Sequence, residues 1–288
     1  LLPFAAKAQI LSAPEGLGFT HVPKFDPTFI LENDIAEIKA VMETKKDGDR
    51  IRKTNRTTTF QFDALGQSAL VAQINNKLQD TSVVAYQFVD RSNGSQGRRI
   101  ACEVKNDPAG MYSYCYSYDV QGLPAERRYA RVESWRSKLQ ADFAAKATKI
   151  NTETYSHTRY ENQLHSTLFN SSARPYQKEI RYFDDDGYLL KYLRSFVMTS
   201  ERHEEVYTYN GQGRLATCEI THGRDPHRLS YVYDEVGNLL SEERHEGEVL
   251  SYRKEFVYEG SNMLLRAELL RREMDEVLEI ISYTYTFE

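Results

Sequence analysis

The sequence predicts an all-β protein, an extended antiparallel β-meander of hairpin repeats forming an open or coiled sheet. Three observations carry this. A phrase of aromatic, any residue, aromatic, Asp, two residues, Gly recurs at Tyr116–Gly122 (YSYDVQG), Tyr207–Leu215 (YTYNGQGRL) and Tyr231–Leu239 (YVYDEVGNL), with variants at Phe60–Gly66, Arg181–Leu189 and Phe256–Leu264. The turn positions Gly187, Gly213, Gly237 and Asn262 recur roughly every 25 residues, which is room for two strands and two turns. The hydrophobic share leans on 20 Tyr and 13 Phe, which suits wide amphipathic sheet faces better than an aliphatic core.

Within the phrase, aromatics two apart share one face of a strand. Asp, then Gly three residues later, suits the ends of a type I turn, and Gly can take the left-handed conformation that closes a three-residue hairpin. This register sets Asn210 opposite Arg214, Tyr209 opposite Leu215 and Tyr207 opposite Thr217. Asn262 stands where the others have Gly, and Asn tolerates positive φ. His222–Pro226 and His245–Glu248 read as return turns. Ser282–Glu288 reads as the first arm of a further hairpin. Its unblocked edge predicts a homodimer through the C-terminal strand.

Taken in order, residues 1–8 read as a signal-peptide remnant: Leu1–Ala5 ends an apolar core and Ala6-Lys7-Ala8 before Gln9 fits a cleavage site. Residues 9–35 form a lead segment and 36–288 a β-hairpin repeat domain. The domain opens with Ala36–Thr54, read as a hairpin about Asp47-Gly48, with a helix from Ile35 to Met42 as the alternative. Val84–Gly94 and Thr158–Leu164 fit the repeat loosely. Trp135, Leu139, Phe143 and Ala147 recur every four residues, predicting a short helix or insertion near 133–147.

Net charge is −5 with both signs alternating, so no basic stripe for nucleic acid exists. No apolar run is long enough to span a membrane as a helix. Strands such as Leu239–Gly247 also lack the apolar face of a membrane barrel. The expected location is the periplasm, the cell surface or the medium of a bacterium. Cys102 and Cys115 flank a turn at Asp107–Gly110 and face each other across two strands, either as a disulfide in an oxidising compartment or as two buried thiols. Cys218 has no evident partner.

No cofactor or metal is expected. Asp184-Asp185-Asp186 reads as a solvated turn, and the seven His lack ligand spacing. No nucleophile elbow, phosphate loop or dinucleotide fingerprint is present. Adjacent acids such as Glu242-Glu243 point to opposite faces, so no catalytic residue is assigned. Aromatic rows are the candidate binding surface: Tyr116, Tyr118, Tyr207, Tyr209, Tyr231, Tyr233, Phe256, Tyr258, Tyr283 and Tyr285. Flat rings with hydroxyls suit a glycan or a protein at the cell surface. The competing reading is that these rows are cross-strand pairs that hold the sheet together.

The phrase resembles the YD repeat of the RHS family of bacterial surface and toxin-shell proteins, most closely over Tyr207–Leu264. That resemblance implies a long twisted antiparallel sheet, sometimes coiled into a shell. The usual Arg after the turn Gly survives only at Arg214; Gln67, Leu123, Tyr188, Asn238 and Met263 stand elsewhere. The expected function is a non-catalytic exported repeat protein that presents a β surface for adhesion, scaffolding or glycan and protein binding at the envelope. The alternatives are a shell-like fragment of an RHS-type toxin system and an envelope-polymer hydrolase.

Overall fold

The computed structural model describes residues 10–12, 23–75, 80–90, 98–107, 110–132, 147–223, 225–260, 263–273 and 275–288. After a short helix α1 (Pro27–Glu32) come eighteen strands. They are β1 (Ile35–Lys46), β2 (Arg52–Phe62), β3 (Ser68–Asn75), β4 (Asp80–Asp90), β5 (Arg98–Asp107), β6 (Gly110–Tyr118), β7 (Pro124–Val132), β8 (Ala147–Tyr160), β9 (Gln163–Phe169), β10 (Pro175–Phe183), β11 (Leu189–Phe196), β12 (Arg202–Tyr209), β13 (Leu215–His222), β14 (Asp225–Tyr233), β15 (Leu239–Glu246), β16 (Val249–Tyr258), β17 (Leu265–Arg272) and β18 (Val277–Phe287). Each strand pairs antiparallel with its neighbours in sequence, and β1 pairs with β18.

The sheet is therefore a closed antiparallel barrel, which corrects the expectation of an open or coiled meander. Closure runs from Glu37 opposite Thr286 to Lys46 opposite Val277, and the Glu288 N–H donates to the Asp34 carbonyl at 3.0 Å. The hairpin phrase encodes pairing between sequence neighbours only. Joining the two ends satisfies the backbone groups that two long edge strands would leave open. The same pairing removes the C-terminal edge, so the proposed homodimer through Ser282–Phe287 has no edge to form on. Ile35–Met42 is strand, as the hairpin reading had it, and not helix.

The turns explain the repeated Asp and Gly. In five hairpins the Gly N–H donates to the carbonyl of the Asp or Asn three residues earlier: Gly66 to Asp63, Gly122 to Asp119, Gly187 to Asp184, Gly213 to Asn210 and Gly237 to Asp234. The Asp or Asn side chain then accepts two further N–H groups, as Asn210 Oδ1 does from Gln212 (2.9 Å) and Arg214 (3.0 Å). These Gly residues have positive φ, 75° at Gly213. The Phe256 hairpin departs from the others. Its loop is one residue longer, Tyr258 faces Leu265, and the positive φ falls on Met263. Asn262 lies outside the described residues, as do residues 1–8, Trp135, Leu139 and Phe143; Ala147 opens β8.

A second irregularity was not foreseen. Tyr209 faces Leu215 as expected, but a bulge follows, so Tyr207 faces Cys218 rather than Thr217. The same shift sets Phe60 opposite Val71, Tyr116 opposite Arg127, Tyr231 opposite Glu242 and Phe256 opposite Glu268. A bulge adds one unpaired residue and re-aims those that follow. The third residue after each turn-closing position is thus turned into the barrel.

Eighteen strands enclose more volume than their own inward side chains fill. Here the N-terminal segment fills one end. Ile10, Leu11, Phe25, Phe29 and Ile30 are buried in one cluster with Ile38, Phe60, Leu239, Leu265 and Tyr283. Phe25 meets Phe60 edge-on at 5.0 Å between ring centres. Asp26 caps α1, accepting from the N–H of Thr28 and Phe29. All five Asp–Gly turns lie at this plugged end. Outward rows of the wall carry ion pairs in mid-strand, including Lys191–Glu204 at 2.6 Å and Arg253 with Glu243 and Glu255 at 3.6 and 3.0 Å.

Candidate functional site: the barrel lumen

The aromatic rows face inward. The second aromatic of the phrase ties one hairpin to the previous one. The hydroxyl of Tyr209 donates to the Leu189 carbonyl (2.8 Å), Tyr233 to Leu215 (2.9 Å), Tyr258 to Leu239 (2.9 Å), Tyr285 to Leu265 (2.6 Å) and Tyr118 to Ile100 (2.6 Å). The first-aromatic row holds Tyr207, Tyr231 and Phe256, all buried. Tyr283 lies in the same layer, opposite Ala40. Tyr116 stands in this layer across the barrel beside Arg127, and burial pushes its phenol up to about 12.

Above the plug lies a cavity of about 790 Å³, lined by one continuous arc of wall in which β15–β18 run on into β1–β4 through the closing β18–β1 pair. Its apolar lining includes Met42, Phe60, Leu270 and Ile281, and its charged lining includes Lys254 and Glu268. The charged groups form a buried network. Lys254 Nζ lies 4.0 Å from Glu242 and 3.7 Å from Glu268. The Tyr252 hydroxyl donates to Glu242 at 2.7 Å, and Tyr283 donates to Glu268 at 2.6 Å. Both glutamates are 3% exposed. Burial holds the Glu268 carboxyl above the ordinary carboxylate value, against the opposing pull of Lys254 and of the Tyr283 hydrogen bond. The Tyr283 phenol is raised well above its usual value by the same burial and by Glu268.

Sequence reasoning assigned none of Glu242, Lys254 or Glu268. The signal was present in the bulge. Leu215, Leu239 and Leu265 are each followed three residues later by an inward residue: Cys218, Glu242 and Glu268. The Cys218 thiol sits opposite Tyr207, and burial pushes it up to about 12. On the neighbouring strand β12, Glu205 accepts from the Tyr207 hydroxyl and meets His203, and between β7 and β8 Arg127 pairs with Glu153.

His203 and His222 face each other in register with rings 5.7 Å apart, while His245 pairs with Arg228 two strands on. Among the described residues no group of three metal-type ligands assembles. Asp184 is occupied by the N–H groups of Asp186 and Tyr188. On the outward face Cys102 lies opposite Cys115, and their sulfurs are bonded.

A family model described as an uncharacterised protein matches residues 197–288. No curated protein matches the chain. Among solved structures, a porin-like protein from Bacteroides uniformis is 10% identical, with a TM-score of 0.38, over 88% of this chain and 98% of that one. A porin-like protein from Bacteroides vulgatus is 8% identical, with a TM-score of 0.32, over 85% and 97%. A LolA superfamily protein from Nitrosomonas europaea is 10% identical, with a TM-score of 0.20, over 90% and 88%. TM-scores below 0.5 support no inference about activity. The resemblance to the YD repeat of the RHS family is overturned. The strands close on themselves around a plug instead of extending into a shell, and the family match is to another model. The shared phrase reflects what any tight hairpin with an inward aromatic pair requires.

Proposed function

We propose that this protein is a non-catalytic binding protein that holds a small molecule inside its barrel. The observation that carries the reading is the cavity of about 790 Å³ above the plug, whose lining combines apolar and charged side chains. Its size lies within the range of small-molecule sites, and a largely apolar lining with a few placed polar groups is their usual chemistry. Of the predicted aromatic rows Tyr283 forms part of the lining, and Phe60 and Tyr252, which were not among them, join it. Adhesion through an exposed aromatic face receives no support, because these rings are turned away from the outer surface.

Binding rather than hydrolysis is favoured by the state of the acids. Glu268 has both oxygens engaged, by Tyr283 and Lys254, and Glu242, which binds Tyr252 and Lys254 through Oε1, is not part of the cavity lining, so the two do not face a substrate as a paired acid and base. The outward charges on β11, β12, β15 and β16 support a wall that faces water, since a lipid-facing barrel carries an apolar band there. The Cys102–Cys115 bond supports work in an oxidising compartment such as the bacterial periplasm or cell surface.

The test is native mass spectrometry of the purified protein beside Met42→Trp, which fills the cavity from β1. The wild type should retain a small molecule that the variant releases while its circular dichroism is unchanged. Equal retention by both, or none by the wild type after exposure to envelope extract, would overturn the reading.

A further inference from the structure

The charged groups around the cavity are not evenly satisfied. Four basic side chains line it, Arg56, Arg244, Lys254 and Arg272, against three acids, Glu246, Glu268 and Glu279. Each acid has a partner within the lining. Glu268 is held by Lys254 and Tyr283, Glu279 by Arg272, and Glu246 by Arg244 at 3.3 Å. Three of the four cations are matched in return, Arg244 by Glu246, Lys254 by Glu242 and Glu268, and Arg272 by Asp275 and Glu279, but two of the four keep unmet N–H donors. The Arg244 Nε is buried and makes no hydrogen bond, and Arg56 reaches only the Met42 sulfur at 4.0 Å. A buried guanidinium N–H without an acceptor is costly, and a ligand oxygen relieves that cost.

These groups are also layered. Along the inward face of β2, Arg56 precedes Thr58 and Phe60, with Arg56 toward the open end and Phe60 against the plug. Four residues of strand separate Arg56 from Phe60 by about 13 Å. On β17 the order is the same: Arg272 lies at the open end, then Leu270, then Glu268. Ile281 and Met42 face each other between these levels. The mouth carries three arginines against Glu246 and Glu279, and the apolar side chains of Met42, Ile281, Leu270 and Phe60 stand on four adjacent strands of the lining.

We infer that the lumen takes an amphiphile with an anionic head, the head bound by Arg56 and Arg244 at the open end and the apolar tail lying along Met42, Ile281, Leu270 and Phe60. A planar guanidinium with spare N–H donors suits either a carboxylate or a phosphate head. This rests on the binding reading above, and it adds the charge and the orientation of the ligand.

Four dodecyl probes below their micelle concentrations separate the outcomes by titration calorimetry: dodecanoate, dodecyl phosphate, dodecyl maltoside and dodecyltrimethylammonium. Dodecanoate or dodecyl phosphate should bind most tightly, and the tighter of the two identifies the head group. Arg244→Met and Arg56→Met should each weaken that probe by about tenfold and leave dodecyl maltoside unchanged. Arg56 is exposed, so its variant keeps the test open if Arg244→Met fails to fold. Binding that is equal across all four heads, or insensitive to both variants, overturns the head-group inference and leaves lumenal binding standing. If no probe binds and Met42→Trp still retains the wild-type ligand, both readings fall.

Discussion

The two ends of the barrel are built on opposite terms. At the plugged end one turn is used five times, the tyrosine hydroxyls reach neighbouring carbonyls, and apolar residues of the N-terminal segment fill the bore. Toward the open end the turns differ from one hairpin to the next, and the lining becomes charged around a cavity. Repetition therefore marks the end that holds the structure together. Irregularity marks the end available to a ligand.

The sharpest break in this contrast comes from a single core ring at the plug. Phe29→Ala should lower the unfolding free energy by about 3–5 kcal/mol, since it empties a filled site inside the bore. Val249→Ala, on the exposed open-end β15–β16 turn, should stay within about 0.5 kcal/mol. Urea denaturation of the two variants measures both.

Lys254→Met tests whether the open half also contributes to stability. It leaves two buried glutamates without their shared cation, and a loss of about 3–5 kcal/mol is expected. If the loss is small, the network exists for ligand contact alone.

Turn chemistry gives the next effect. Asp234 accepts from the N–H groups of Val236, Gly237 and Asn238, so Asp234→Ala should cost about 2 kcal/mol. The exposed open-end Asp49 bonds Arg50 and Arg52, and its alanine variant should cost less than about 0.5 kcal/mol. Tyr233→Phe removes one inter-hairpin bond and should cost about 1 kcal/mol.

The smallest effect is on pH dependence. Burial raises the Glu268 carboxyl in the fold, against the pull of Lys254, so folding favours its protonated form more than water does. Its contribution is complete below the ordinary carboxylate value and is lost as pH rises through the raised folded value. Glu268→Gln should flatten the fall in urea midpoint over that window and leave the rest of the profile unchanged.

Much of the plugged end was legible in the residues. Tyr209 facing Leu215 and the Asp–Gly turns follow from local rules, as does the Asp47-Gly48 hairpin at the open end, since a type I turn and a two-residue side-chain period act over a few positions. The charged lumen was not legible. Glu242 and Glu268 look like ordinary solvated acids on alternating strands until the bulge after Leu239 and Leu265 turns them inward. Lys254 meets both only because three strands, β15, β16 and β17, stand side by side.

The sequence by itself determined the hairpins: their turns, their aromatic faces and the order in which neighbours pair. These are short-range consequences of backbone geometry. Tertiary structure alone decided that the last strand meets the first, that the N-terminal segment enters the bore, and that the tyrosine rows face a lumen instead of the solvent. Those outcomes join residues more than two hundred positions apart, as Ser282 joins Glu43. No periodicity within one hairpin carries that information. It arises when long strand edges and a wide bore meet groups from distant parts of the chain that satisfy them.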